Sequence, residues 1–389
     1  MNNFKWCSPT EFIFGRETQK EVGKTLKNYG AVKVLIVYGG GSAERSGLIK
    51  DITESLEKEN LSYSILKGVR PNPTDDLVYE GISTVVSEGI NYILAVGGGS
   101  VIDTAKAIAV GAVYSGDFWD FFDKKAVPMA ALPLGVVLTI PAAGSEASWS
   151  CVITKKSTLQ KVSIGTNLVR PRFAIMNPEL TMTLPPEQTA YGIVDMLCHI
   201  FERYFSNTSA QLVNAYSEAI MVDIMDQAVT LGLDGNNYDA RADIMWASTL
   251  AHNGLCGVGK EEDWATHRLE HEVSALYDVA HGAGLACIAP AWLEFVGRKN
   301  PDMVWRFAIN VMSVNPSGKT TEEIIEEGIV NLKNFYHGLG LTTSLTQLIG
   351  REPDIEAMVK SLERNMGPLL GNYVPLTMED CKEIYKLAL

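Results

Sequence analysis

Short apolar runs alternate with longer polar, helix-like stretches between residues 31 and 178. The runs 32–38 (VKVLIVY) and 92–96 (YILAV) are rich in strand-forming residues, and 134–140 is a third run of this kind. Apolar runs of this length, separated by helical patterns, are typical of strands buried on both faces of a parallel sheet. The pattern therefore predicts an α/β domain built from βαβ units.

The pattern changes after residue 178. The segment Thr183-Leu184-Pro185-Pro186 places prolines where the first turn of a helix tolerates them, and long helical patterns such as 239–255 and 321–336 follow. We expect two domains in this 389-residue chain, an α/β domain over residues 1–183 and an all-helical domain over residues 184–389.

Three loops of small residues follow the predicted strands. They are Gly39-Gly40-Gly41-Ser42, Gly97-Gly98-Gly99-Ser100 and the segment 139–146 (TIPAAGSE). Ligands of open α/β sheets bind at the carboxyl ends of the strands, where bare backbone N–H groups can hold a pyrophosphate. The second loop departs from the G-x-G-x-x-G pattern at Ile102, so a simple tight turn is the alternative for that loop alone. Three such loops together favour a dinucleotide ligand.

The end of the first strand bears on the choice of nicotinamide cofactor. An acidic residue there commonly binds the ribose 2′-hydroxyl of NAD, whereas Tyr38-Gly39 leaves room for the 2′-phosphate of NADP. Glu44 lies nearby and argues for NAD. NADP and NAD are therefore both candidates, with the small residues favouring NADP.

Net charge and cysteine content limit the kinds of partner and the cell compartment that we expect for this protein. The formal net charge of -13 and the absence of a basic stripe argue against nucleic acid. The uncharged stretch 126–145 is long enough to span a membrane, but its three prolines predict a buried strand with turns instead. Six cysteines without a C-x-x-C pair, and no signal-peptide pattern, lead us to expect free thiols in a cytoplasmic protein.

Histidine and aspartate residues cluster in the helical half. Asp195 and His199 stand four residues apart, on one face of a predicted helix, and His267, His271 and His281 fall within fifteen residues. Neutral imidazoles with one carboxylate suit Zn²⁺ or Fe²⁺. The cluster therefore predicts a metal site.

Two other functions are compatible with parts of this pattern. The segment from His267 to His271 matches H-x-x-E-H, the signature of zinc peptidases in which the glutamate, here Glu270, is the general base. That function leaves the glycine loops, Asp195 and His199 without a role. A non-catalytic nucleotide-binding protein is the second alternative, because fold alone does not establish catalysis.

A series of short motifs extends over nearly the whole chain. In order they are Phe12-Ile13-Phe14-Gly15, Val37-Tyr38-Gly39-Gly40-Gly41-Ser42, Pro71-Asn72-Pro73, Gly97-Gly98-Gly99-Ser100 with Asp103 and Lys106, Gly144-Ser145-Glu146, Leu184-Pro185-Pro186-Glu187-Gln188-Thr189-Ala190, Asp195 with His199, and His267, His271 and His281-Gly282. In this order and spacing they resemble the iron-containing (group III) alcohol dehydrogenase family, and within it the butanol dehydrogenase branch.

The resemblance implies a fold, an activity and a set of site residues. The fold is an N-terminal dinucleotide-binding domain with a parallel sheet and a C-terminal all-α metal-binding domain, with the metal in the cleft between them. By position, the metal ligands are Asp195, His199, His267 and His281, and His271 lies near the nicotinamide. The cofactor contacts are Gly39, Gly40, Gly41, Ser42, Asn72, Gly98, Gly99, Ser100, Asp103, Thr139 and Lys161.

The implied reaction interconverts short-chain aldehydes and primary alcohols with NAD(P)H in a homodimeric enzyme. Hydride addition builds negative charge on the carbonyl oxygen, which a divalent ion stabilises, and His271 is the expected proton relay. Ala143 departs from the family pattern, in which many members have a threonine before Gly-Ser-Glu. Family members with a Gly-Gly-Gly-Ser loop use either NAD or NADP.

Overall fold

The computed structural model describes all 389 residues, Met1–Leu389. The strands are β1 (Glu11–Phe14), β2 (Lys33–Tyr38), β3 (Ser62–Lys67), β4 (Tyr92–Gly97), β5 (Leu134–Leu138), β6 (Ser150–Lys155), β7 (Gln160–Gly165), β8 (Phe173–Met176), β9 (Leu369–Leu370) and β10 (Leu376–Thr377). The helices are α1 (Val22–Asn28), α2 (Ser42–Arg45), α3 (Leu48–Lys58), α4 (Asp75–Glu88), α5 (Gly99–Gly111), α6 (Trp119–Phe122), α7 (Pro186–Tyr204), α8 (Gln211–Leu233), α9 (Tyr238–His252), α10 (Ala265–Tyr277), α11 (His281–Lys299), α12 (Asp302–Asn310), α13 (Thr321–Gly338), α14 (Leu345–Ile349), α15 (Ile355–Met366) and α16 (Met378–Leu387).

The chain forms two compact units. One comprises Cys7–Leu184, and the other comprises Met1–Trp6 together with Pro185–Leu389. The first six residues thus pack with the helical unit, where the backbone N–H of Asn2 donates to the carbonyl of Gly259.

A six-stranded sheet forms the centre of the unit Cys7–Leu184. Its strand order is β1-β8-β5-β4-β2-β3, and every neighbouring pair is parallel. All residues of β4 and β5 are buried, which explains why their sequences are continuously apolar. The predicted parallel α/β fold is confirmed, although β5 ends at Leu138, two residues before the end of the predicted run.

An antiparallel hairpin of β6 and β7 lies outside the main sheet. Thr154 in β6 forms a parallel bridge with Thr74, just before α4, and β6 also packs against α5. The hairpin thereby lies beside the segment that contains Asn72.

The unit that contains Pro185–Leu389 has ten helices around one apolar core. Its first helix, α7, begins at Pro186 and buries fourteen residues, as the proline-containing start signal and the apolar pattern predict. Trp292 of α11 is completely buried in this core. The two-residue strands β9 and β10 form the one short antiparallel pair in an otherwise helical unit.

Two glycines at the start of α11 permit close helix packing. A Cβ atom on Gly282 would lie 2.2 Å from the carbonyl oxygen of Tyr191 in α7, and one on Gly284 would lie 2.6 Å from Oε1 of Glu270 in α10. Any larger residue would push α11 away from one of these helices. The metal-ligand candidates of α7, α10 and α11 can approach one another because of this packing.

The six cysteines are all free thiols, and Cys7 is the exposed one. Burial raises the pKa of the other five thiols, Cys151, Cys198, Cys256, Cys287 and Cys381. None of the helices combines the length and the apolar content that crossing a bilayer requires.

Candidate active site

Three helices bring the predicted metal ligands together. Asp195 and His199 lie one turn apart in α7, His267 lies in α10, and His281 is the first residue of α11. One oxygen, Oδ1 of Asp195, lies 3.4 Å from Nε2 of His199 and 3.7 Å from Nε2 of both His267 and His281. Four side chains from distant parts of the sequence therefore point their ligand atoms at one small volume.

The members of this cluster are not equally close. The ligand atoms of Asp195, His267 and His281 all lie within 4.8 Å of one another. His199 is outside that three-residue set, and it approaches the cluster through Asp195.

Two buried atoms of the cluster lack hydrogen-bond partners. They are Oδ1 of Asp195 and Nε2 of His267. An unsatisfied buried carboxylate oxygen facing an unsatisfied ring nitrogen is costly in a closed protein interior, and a shared cation removes that cost. The residues therefore fit a divalent metal ion held by one carboxylate and three imidazoles, a donor set that both iron and zinc accept.

Nδ1 of each of the three candidate ligand histidines also has a partner. Nδ1 of His267 donates to Glu202 over 2.7 Å, and Nδ1 of His281 contacts the carboxylate of Glu270. Nδ1 of His199 lies 2.8 Å from Nδ1 of His252. Such partners orient imidazole rings towards a metal and raise their basicity.

These partners were not predicted from the sequence. Glu202 follows Asp195 by seven residues and His199 by three, which places all three on one face of α7 and would have been a usable signal. His252 carries no such signal because it comes from α9, and its sequence context is that of an ordinary helix end.

The pKa values of His199 and His267 are shifted in opposite directions. Burial, reinforced by the neighbouring ring of His252, lowers the pKa of His199 well below its usual value. Burial also acts to lower the pKa of His267, but the carboxylates of Asp195 and Glu202 outweigh it and raise this pKa to about 9. A metal ion at this site would therefore displace a proton from His267.

His271 lies one turn beyond His267 on α10 and is buried. Its ring centroid is 5.6 Å from that of His281, and its ligand atom lies within 4.8 Å of ligand atoms of Glu270 and His281. It is not a member of the set around Asp195. This position, beside the cluster but outside it, suits a group that exchanges protons with a bound substrate.

Glu270 is not placed to act as a peptidase base. Its side chain is fully buried and accepts hydrogen bonds from Ser274 and His281. A general base must instead reach an attacking water. The H-x-x-E-H match thus consists of one metal-ligand candidate, one carboxylate that orients another histidine, and His271.

The glycine loops follow three adjacent strands of the other unit. Gly39 to Gly41 follow β2, Gly98 to Ser100 follow β4, and Thr139 follows β5. Gly41 has φ = 86°, and a Cβ on Gly98 would lie 2.9 Å from Ile140, so both positions require glycine. The N-terminus of α5, which begins at Gly99, points bare N–H groups to the same sheet edge, as a pyrophosphate site requires.

The remaining cofactor candidates have internal contacts. Nζ of Lys161 in β7 donates to Oδ1 of Asn72 over 3.1 Å, so the hairpin brings these two residues together. Asp103 uses both carboxylate oxygens within the protein, accepting from Ser145 over 2.7 Å and from the N–H of Val152 over 3.0 Å. Its geometry fits a residue that holds the 145–152 segment in place.

A parallel sheet with glycine loops and a helical unit with an Asp-His₃ cluster define the class of metal-dependent dehydrogenases. Two family models match the sequence, "Iron-containing alcohol dehydrogenase" over residues 9–178 and "Fe-containing alcohol dehydrogenase family, C-terminal" over residues 189–389. The chain belongs to the iron-containing alcohol dehydrogenase family, as the motifs predict.

Relatives and solved structures agree with this assignment. The chain is 41% identical to "Probable NADH-dependent butanol dehydrogenase 1" of Bacillus subtilis and 33% identical to "NADPH-dependent aldehyde reductase YqhD" of Escherichia coli, with 100% of both chains covered in each case. The crystal structure of NADH-dependent butanol dehydrogenase A from Thermotoga maritima is 40% identical and superimposes with a TM-score of 0.96, covering 100% of this chain and 99% of the other. These similarities support the butanol dehydrogenase branch and the predicted fold.

Proposed function

We propose that the protein reversibly reduces a short-chain aldehyde to the primary alcohol, with NADH as the hydride donor and Fe²⁺ or Zn²⁺ held by Asp195, His199, His267 and His281. The observation that carries this proposal is the pair of unsatisfied buried atoms on Asp195 and His267. The names of the full-length relatives, butanol dehydrogenase and aldehyde reductase, support the substrate class.

When bound, the nicotinamide supplies the hydride and the divalent ion stabilises the negative charge that develops on the carbonyl oxygen. The protein's contribution is orientation and proton transfer. Glu202 and Glu270 hold the rings of His267 and His281, and the glycine loops offer backbone N–H groups to the cofactor phosphates.

Purified protein tests this function directly. We expect stoichiometric iron or zinc by metal analysis and steady-state oxidation of NADH with butanal. A chelator should abolish the reaction, and Fe²⁺ or Zn²⁺ should restore it. Peptide cleavage without nicotinamide would instead support the peptidase alternative, and nucleotide binding without turnover would support the non-catalytic one.

Replacing His271 with alanine tests its role as a proton relay. We expect kcat to fall by about 10²-fold, at the lower end of the effect of general acid catalysis, while the metal content stays unchanged. Steady-state kinetics across a range of pH, with metal analysis of the same samples, measures both quantities. The exposed His337 provides the control, since His337→Ala should leave kcat unaltered. Full turnover of His271→Ala at every pH would remove His271 from the mechanism.

NADH is proposed over NADPH because the carboxylate of Glu44 lies beside the first glycine loop. This charge favours NADH, whereas the small residues at the end of β2 favour NADPH. Oε2 of Glu44 lies 3.9 Å from the position of a Cβ on Gly41, and Oε1 accepts a hydrogen bond from Tyr38. A carboxylate held at this loop repels a ribose 2′-phosphate.

Glu44 and Arg45 are two of the charged residues beside this loop, and they provide a matched pair of variants. We expect Glu44→Gln to improve kcat/KM with NADPH about tenfold relative to NADH, equivalent to removal of roughly 1.4 kcal/mol of repulsion. Arg45, whose guanidinium lies 3.1 Å from the same Cβ position, would attract the phosphate, so Arg45→Gln should change the preference in the opposite direction. An unchanged NADPH:NADH ratio in Glu44→Gln would contradict this specificity assignment.

We also propose a homodimer in a reducing compartment such as the cytoplasm. β1 is one of the two edge strands of the main sheet, and edge strands are common sites of pairing between chains. The six unpaired cysteines suit a reducing environment. Light scattering coupled to size-exclusion chromatography should give a mass twice that of the 42.5 kDa chain.

A further inference from the structure

The ring of His199 forms a hydrogen bond on the side that faces away from Asp195. Its Nδ1 lies 2.8 Å from Nδ1 of His252, the last residue of α9, and both histidines are 5% exposed. One of these two nitrogens must carry the shared proton and the other must accept it. Which nitrogen carries it decides where the remaining lone pair of His199 lies.

A buried arginine resolves this choice. The guanidinium of Arg203 is held by three contacts: it donates to the carbonyl of His199 over 2.7 Å, its Nε lies 3.1 Å from Glu262, and it stacks on Trp264 at 4.8 Å from the ring centroid. From this fixed position a second guanidinium nitrogen lies 3.4 Å from Nδ1 of His252.

Arginine has only donors, so the nitrogen that it faces must be an acceptor. Nδ1 of His252 therefore carries no proton, and the proton of the pair resides on Nδ1 of His199. A neutral imidazole has one N–H group, which leaves the lone pair of His199 on Nε2. That nitrogen lies 3.4 Å from Oδ1 of Asp195.

The alternative tautomer of His199 would gain no hydrogen bond at Nε2 and would create a repulsive contact on the other side of the ring. Its Nε2–H would point to Asp195 without forming a hydrogen bond, because Oδ1 of Asp195 has no partner of acceptable geometry. On the other side, Nδ1–H of His252 would face a guanidinium N–H at 3.4 Å.

We propose that His252, held by Arg203, is a positioning residue that locks His199 in the tautomer with a free lone pair on Nε2, and so prepares it as a ligand before metal binds. This inference rests on the proposed metal role of His199. It gives a function to His252, which lies outside the ligand set, and to the buried guanidinium of Arg203 that contacts it.

Nuclear magnetic resonance of the full chain with ¹⁵N-labelled histidine tests the lock, with the His199 signals assigned by their loss in His199→Gln. In metal-free protein we expect His199 to carry its proton on Nδ1, and Zn²⁺ to change the Nε2 signal alone. A proton on Nε2 of His199 in the metal-free wild type would overturn the inference, whatever the behaviour of the variants.

Two amide variants provide a matched comparison of metal affinity. His252→Asn can place its carbonyl oxygen where Nδ1 was, whereas His252→Gln carries the same amide one methylene further out. Chelator competition with Zn²⁺ should give a Kd raised about 10- to 100-fold for His252→Gln and within about threefold of wild type for His252→Asn. Equal affinities in wild type and His252→Gln would refute the positioning role. Failure of the wild type to bind Zn²⁺ or Fe²⁺ would instead refute the proposed function, while the tautomer measurement still decides this inference.

Discussion

Replacing Asp195 with alanine is expected to remove the bound metal and to lower kcat for aldehyde reduction by at least about 10³-fold. The magnitude follows because a Lewis acid contributes several kcal/mol of charge stabilisation, and each 1.36 kcal/mol is a factor of ten in rate. Asp195 supplies an oxygen that lies within 3.7 Å of Nε2 of all three imidazoles. Without it, three histidines remain with no anionic ligand among them.

Metal analysis and thermal unfolding measure this loss together. A ligand present at one hundred times its Kd stabilises a protein by about 2.7 kcal/mol, so added Zn²⁺ should raise the Tm of the wild type and leave that of Asp195→Ala unchanged. The exposed Asp226 in α8 is the control, because Asp226→Ala should keep both the metal and the turnover. Normal butanal reduction by metal-free Asp195→Ala would exclude a catalytic metal.

Replacing Gly282 with alanine is expected to disable the site without altering any ligand. The new Cβ would lie 2.2 Å from the carbonyl oxygen of Tyr191, so α11 must move away from α7 by roughly 1 Å to reach an ordinary contact distance. His281 precedes Gly282, and Asp195 lies one turn after Tyr191. The 3.7 Å distance between Nε2 of His281 and Oδ1 of Asp195 would therefore change when α11 moves away from α7. A misplacement of this size costs about 10²-fold in rate, and overpacking costs about 1–3 kcal/mol of stability.

Gly232 in α8 offers a matched control for this substitution. A Cβ at that position meets nothing within 4 Å, so Gly232→Ala should keep full activity and gain up to about 1 kcal/mol of stability from its higher helix propensity. Denaturant unfolding and metal content of both variants make the comparison. A Gly282→Ala protein with normal metal affinity would show that α7 and α11 do not need this close approach.

The fold could be predicted where one stretch of sequence carries the whole signal. The apolar runs that became β2, β4 and β5 are buried on both faces, so their composition alone identifies them. The hairpin of β6 and β7 could not be predicted in this way. It has only partly buried strands, and its place is set by contacts with distant segments, such as the bridge from Thr154 to Thr74.

The same distinction between local sequence signals and contacts of distant segments applies to the candidate site. Asp195 with His199, and His267 with His271, are close in sequence and therefore visible as helical pairs. The assignment of four ligands needed the family resemblance, because no local pattern joins α7 to α11. His252 was beyond both kinds of inference, since its partnership with His199 arises from the packing of α9 against α7.

The single exposed thiol makes the native chain its own conformational probe. A maleimide dye should attach at Cys7 alone, because the other five sulfurs are enclosed and their thiolate forms are suppressed. Opening the structure in denaturant would release those five for alkylation, and mass spectrometry of the alkylated peptides would reveal the order in which separate helices and strands become accessible. Cys198, adjacent to His199, would report whether filling the ligand cluster delays the opening of its own helix.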